Sequence, residues 1–301
     1  MDRSTEVVLG LGCALIAAVL YGFASILQAV GARKVAAAAD GSDGFDPRTA
    51  AGLLRQPAFL AALALTLFGF LFHLAAVRLV PLFLAQAGIA VSLVVTALLA
   101  VRLFGDRLSA VEWTAVGAVV VGLVLLSASA GDVGTDRDFP WVLHSLFVLI
   151  AFMLVVGFLV SRSHGIVATA VLGLLGGLGY ATVGISSRLL PDFKVVDLLA
   201  SPATYTLGLG GGLAFFLYSL ALQRGSAIAA TTPLIAVQTV TPAVVGVFVL
   251  GDEVRPGWWP GAILGFLVTA AAAVVLVRFE GVRAEEGAEA ELVEDLSPES
   301  G

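Results

Sequence analysis

The chain is a succession of long apolar runs separated by short polar punctuation. Runs of about 20 mostly apolar residues, enough to span a bilayer as a helix, lie near 7–30, 58–77, 81–103, 110–128, 142–160, 166–187, 203–222, 228–250 and 258–277. They are continuous rather than alternating, so each is expected to satisfy its backbone internally as a helix and not as a barrel strand. The pattern predicts an all-α polytopic membrane protein with about nine transmembrane helices. Connections are short except at 31–57 and 188–202.

A second pattern lies over the first. The stretch "LFGDRLSAVEW" (Leu103–Trp113) returns as "LGDEVRPGWW" (Leu250–Trp259), with Gly105-Asp106 falling on Gly251-Asp252 and Trp113 on Trp259 at an offset of 146. The same offset lays Phe70 on Phe216, Leu74 on Leu220, Arg78 on Arg224, and Ile89-Ala90-Val91 on Ile235-Ala236-Val237. Before these, Leu53-Leu54 and Pro57 match Leu198-Leu199 and Pro202 at 145, a slip of one residue. Five spans separate the copies, so the second enters the membrane upside down. Inverted-topology repeats build secondary transporters, whose binding site lies near the midplane between the halves. The expected layout is a first repeat over 1–130, a linking span over 131–165, a second repeat over 166–278 and a tail over 279–301.

A Gly-Asp tip between apolar helices, followed by an aromatic and a Gly-rich helix, resembles the EamA-type repeat of the drug/metabolite transporter superfamily. Both "GDRLSAVEWTAVGAVVVGLVLL" and "GDEVRPGWWPGAILGFLVTAAAAVVLV" have this form. Family members usually carry ten helices, so the first half here is one short. The nine-span layout, "YGFASILQAVGARK" and "TTPLIAVQTVTP" are similar to the NIPA-type magnesium transporter branch. In the long connection, "FDPRTAAGLLRQP" places Asp46 as an N-cap and Pro47 at the first helical position of a short interfacial helix. The segment "DFKVVDLLASP" is its counterpart.

Composition agrees with immersion in lipid. Hydrophobic residues make up 59% and charged residues 13%, against about 25% charged in soluble domains, and the mean hydropathy is +1.03. Beyond Arg278 the tail holds eight acids and one arginine, which accounts for more than the whole net charge of −6. Its composition predicts a disordered, solvated segment. Cys13 is the one cysteine, so no internal disulfide forms. The first run reads as an uncleaved span rather than a signal peptide. With the N-terminus outside, the cytoplasmic segments hold Arg33, Lys34, Arg48, Arg55, Arg102, Arg107, Arg162, Arg224, Arg278 and Arg283, against six basic residues outside. The positive-inside bias therefore predicts a cytoplasmic-membrane protein with its N-terminus out and C-terminus in.

Ionisable groups within spans usually face a cavity or partner, yet no Asp or Glu lies in the middle of any span. That argues against a carboxylate cage for a metal and against an acidic proton relay. Tyr21, Ser25 and Gln28 share one face of the first helix, and Tyr180, Gly184 and Ser187 answer them at an offset of 159. Ser92 aligns with Gln238, each near the middle of its helix. Thr231, Gln238 and Pro242 share a face, and Pro233 and Pro242 each remove a backbone donor and should bend that helix. Gln238 is the leading substrate-binding candidate, with Tyr21, Gln28, Tyr180, Ser92, Gln86 and Thr231 behind it. His73, inside a span, is the candidate for a coupling proton, although a lone histidine there more often only packs. Asp106 and Asp252 should accept backbone N–H bonds at a turn or helix start. Arg78 and Arg224 read as interfacial anchors. Gly173/Gly177, Gly208/Gly212 and Gly261/Gly265 have GxxxG spacing, which permits close helix contacts.

These features favour a secondary carrier for a small organic metabolite or drug-like solute, working by alternating access. A NIPA-like Mg²⁺ or divalent-cation transporter is the alternative, although Mg²⁺ usually takes one or two carboxylates. No HExxH, GxSxG or GxGD pattern occurs, so an enzyme is not expected. The expected partners are the solute and membrane lipid. No nucleic acid, cofactor or resident metal is expected, and a homodimer is left open.

Overall fold

The computed structural model describes residues 3–36, 57–104, 109–134, 139–163, 165–191, 194–224 and 227–296. They form α1 (Arg3–Ala36), α2 (Pro57–Leu79), α3 (Leu82–Phe104), α4 (Ala110–Ser129), α5 (Pro140–Val160), α6 (Ile166–Leu189), α7 (Val195–Ala200), α8 (Pro202–Arg224), α9 (Ala227–Phe248) and α10 (Trp259–Leu296). Among the described residues the extended structure is one isolated bridge, Ala130 to Val254. Eight helices among the described residues are long and apolar enough to cross a membrane. Nine were expected; the ninth run, 203–222, forms α8, part of whose side chains lie outside the described residues, and α8 is not among the eight.

Local chemistry explains the helix starts. Pro57, Pro140 and Pro202 open α2, α5 and α8, where the missing N–H costs nothing. Before α4, Ser109 Oγ accepts from the Glu112 amide at 3.3 Å and the Glu112 carboxylate accepts from the Ser109 amide at 2.7 Å, a closed capping box. Ser109→Ala should cost about 1 kcal/mol through the lost cap, read as a lower melting midpoint in detergent.

Helix faces sort by size. Outward positions carry bulky apolar side chains, such as Leu67, Phe68, Val124, Val148, Phe215 and Leu267, each more than half exposed. Contacts between helices use small ones: Ala18, Ala76, Ala85, Ala87, Ala203 and Ala214 are fully buried. A surface this apolar is unstable in water and matches hydrocarbon. The architecture is that of a multi-pass membrane protein.

Packing is paired. α1 lies against α2 and α3, and α6 lies in the same way against α8 and α9. α4 packs on α10, α3 on α9, and α5 on α6 and α8. At the α4–α10 contact the Gly122 and Gly265 backbones approach so closely that a Cβ on either would stand 2.8 Å from the other's carbonyl oxygen.

Two sequence expectations need comment. The acidic segment, expected to be disordered, continues α10 as helix to Leu296; its alanines and glutamates are good helix formers. The short helix expected in "DFKVVDLLASP" is α7. Its counterpart around Asp46 and the first Gly105-Asp106 tip lie outside the described residues.

Candidate functional site

A cavity of about 90 Å³ lies between α3, α9 and α10. Its lining includes Gln86, Ser92, Leu93, Gln238, Thr239 and Ala273. Three pairs in the wall are related by the 146-residue offset: Ile89 with Ile235, Ser92 with Gln238, and Leu93 with Thr239. Three predicted residues, Gln86, Ser92 and Gln238, are thus brought together.

Their hydrogen-bonding states differ. Ser92 Oγ donates to the Ile89 carbonyl at 2.7 Å and Thr239 Oγ1 to the Ile235 carbonyl at 2.8 Å, so both hydroxyls are spent as donors within their own helices. Gln86 and Gln238 make no side-chain hydrogen bond among the described residues. Gln86 is buried, its amide nitrogen against the Cα of Gly184 on α6. Its repeat counterpart, Thr232, has a buried Oγ1 with no partner among the described residues. Thr232 Oγ1 is fully enclosed, whereas the two amides line the cavity with donors and acceptors unspent and open to a ligand. α9 runs through both prolines, and Pro242 leaves the Gln238 carbonyl without its i→i−4 donor. Residue 238 therefore presents a side-chain amide and a backbone oxygen at mid-helix.

Other predicted residues lie elsewhere. Thr231 Oγ1 is 2.8 Å from the Tyr218 hydroxyl, joining α9 to α8. Tyr180 packs beside Tyr218 at the edge of the apolar cluster that holds Ala90, Ile235 and Ala273. Tyr21 is not in the cavity: its ring covers Gly69 of α2. The side chain of Gln28 lies outside the described residues. His73 is buried on α2, away from the cavity, with Nδ1 unpartnered among the described residues. A larger space of about 170 Å³, lined by residues such as Phe83, Val247, Trp259 and Phe266, is wholly apolar and offers a polar solute no bond.

Sequence reasoning missed the strongest electrostatic feature. Arg188, 2% exposed at the end of α6, forms an ion pair with Asp252, 3% exposed in the α9–α10 connection. The guanidinium also donates to the Val77 and Val80 carbonyls at the C-terminus of α2. The carboxylate accepts from the Leu82 amide at 2.5 Å, at the N-terminus of α3, and from the Gly134 amide at 3.1 Å. α2 and α3 meet in a tight turn, so orphan carbonyls of one helix lie beside orphan amides of the next. The ion pair meets both with the sign each helix dipole prefers. Arg78 of α2 reciprocates, donating to the Leu190 and Pro191 carbonyls beyond α6 at 3.0 and 2.6 Å, so it is a tie rather than only an anchor. Burial pushes the Asp252 carboxyl above the usual carboxylate range, while Arg188 and the two amides pull it back.

Among the described residues, no three His, Cys, Asp or Glu side chains gather to hold a metal ion. Compared with family profiles, curated proteins and solved structures, the chain matches none.

Proposed function

We propose that the protein is a secondary carrier of the drug/metabolite transporter type, moving a small, uncharged, hydrogen-bonding organic solute by alternating access. The observation that carries this reading is the pair of unspent amides, Gln86 and Gln238, in one mid-bundle cavity walled by repeat-related positions. The pairing of α1 with α2 and α3, matched by that of α6 with α8 and α9, supports two halves of one design. In this reading nine helices cross the membrane, 1–130 and 166–278 are inverted repeats, α5 links them, and the N-terminus is outside.

The chemistry follows from the lining. Two carboxamides and one freed carbonyl offer donors and acceptors without net charge. A cavity of about 90 Å³ is below the roughly 300–1,000 Å³ of ordinary ligand sites, so the bundle must open to admit a solute. Among the described residues no cluster of carboxylates favours the divalent-cation alternative.

The test is thermal stabilisation of the purified protein against panels of small metabolites and divalent cations. A solute at ~100 times its dissociation constant should add about 2.7 kcal/mol if it binds only the folded state. Gln238→Ala should erase that response, and transport with it, at an unchanged melting midpoint without solute. A metabolite response that survives Gln238→Ala removes the site assignment. A selective Mg²⁺ response removes the organic-solute reading.

A further inference from the structure

We infer that the Arg188–Asp252 ion pair is a latch closing one end of the Gln86–Gln238 cavity, and that its release exposes the cavity to the membrane face where α2, α6 and α9 end. The inference rests on the proposed function of that cavity.

Three placements carry it. Asp252 binds the first amide of α3, and Gln86 stands one turn further along the same helix. Arg188 stands one turn beyond Gly184, the residue that Gln86 touches. Gly246, two turns beyond Gln238 on α9, comes so close to α3 that a Cβ there would lie 2.8 Å from Leu82 Cβ and 2.8 Å from Asp252 Oδ2. The ion pair therefore pins α2, α3, α6 and α9 together above the cavity. A solute that parts Gln86 from Gly184 pulls on Leu82 and Arg188 through rigid single turns of helix.

The pair also has the energetics of a switch. Inside the bundle it is shielded from water and completed by four backbone groups, so it holds firmly while formed. Once one bond opens, water reaches both charges and the rest follow. The device is one-sided in sequence: the 146-residue offset lays Asp252 on Asp106, but the 159-residue offset lays Arg188 on Ala29. A carrier latched at one end rests closed there, and the opposite end opens first.

The test uses the full chain in proteoliposomes with Cys13→Ala, which removes the native thiol. Ser187→Cys places a reporter on α6 beside the latch, at a fully buried position on the Gly184 face. Ala221→Cys places a second in the equally buried α6–α8 contact, away from it. The rate of alkylation by a charged, membrane-impermeant maleimide is read for each. With the latch intact, both reporters should react slowly. Asp252→Asn keeps an oxygen for the Leu82 amide but loses the charge, and should raise the Ser187→Cys rate about 10- to 100-fold, as loss of one charge-assisted bond shifts a two-state equilibrium. The Ala221→Cys rate should not move. Arg188→Lys, which keeps the charge but not the forked reach to Val77, Val80 and Asp252, should fall between, and it carries the test alone if Asp252→Asn does not fold. An unchanged Ser187→Cys rate overturns the latch. Equal rises at both reporters also overturn it, because the pair then only holds the bundle together. A silent reporter with Gln238-dependent solute binding removes the latch alone, and a released reporter with Gln238-independent binding removes the cavity reading alone.

Discussion

Arg188→Met should be among the most damaging single substitutions in the chain, lowering stability by about 3–5 kcal/mol, the usual cost of stranding one partner of a buried ion pair. Methionine fills the space but leaves Asp252, 3% exposed, facing two amides with no cation. It also strips the Val77 and Val80 carbonyls of their donor. The effect should be strongly non-additive. Adding Asp252→Asn removes the stranded charge while keeping an oxygen for the Leu82 and Gly134 amides, so the double variant should recover most of the loss. Melting midpoints of the four proteins in detergent form the double-mutant cycle. If the two losses simply add, the pair is not the energetic unit its geometry describes.

That pair also marks where the sequence stops being legible. Asp252 could be read as a residue accepting backbone amides at a helix start, because a short acidic side chain after Gly251 has few other uses. The helix it serves is α3, 170 residues earlier, and no local pattern points there. Arg188 looks like any basic residue closing an apolar helix, and its role depends on α2 and α6 ending at the same face. The available signal was weak: Arg188 follows "GISS", where three of the four residues are small. Long-range ties of this kind are set by tertiary packing rather than by periodicity.

What could be read is what periodicity and repetition encode. Apolar runs gave most of the helices within a few residues, because hydrocarbon demands continuous hydrophobicity over a fixed length, although α1 and α10 run on past theirs. The offset of 146 aligns Ser92 with Gln238, each near the middle of its helix, and the packing of α3 on α9 puts both in the lining of one cavity. Tyr21 lies away from that cavity for an equally physical reason. Its helical face was identified, but that face is filled by the glycine of the neighbouring helix, Gly69, and not by open space.

The last large effect is expected at a glycine that the spacing rule alone could not single out. Three GxxxG pairs lie wholly within helices, and they do not share one environment. At Gly177 a Cβ would stand 2.6 Å from the Leu234 carbonyl oxygen and 3.0 Å from Leu234 Cα, so α6 and α9 touch backbone to backbone. At Gly212 nothing lies within 4 Å of an added Cβ. Gly177→Val should therefore cost upwards of about 3 kcal/mol, beyond ordinary overpacking because the obstacle is main chain and cannot rotate away. Gly212→Val should stay within about 0.5 kcal/mol, as substitutions facing open surroundings do. Melting midpoints of the two variants, side by side in one detergent, check the contrast. Folded Gly177→Val protein carries a second expectation. Forcing α6 off α9 draws Gly184 away from Gln86, two turns along the same helix, so solute affinity should fall even when neither glutamine has been altered. Equal stability of the two variants would mean that α6 and α9 do not meet backbone to backbone at Gly177.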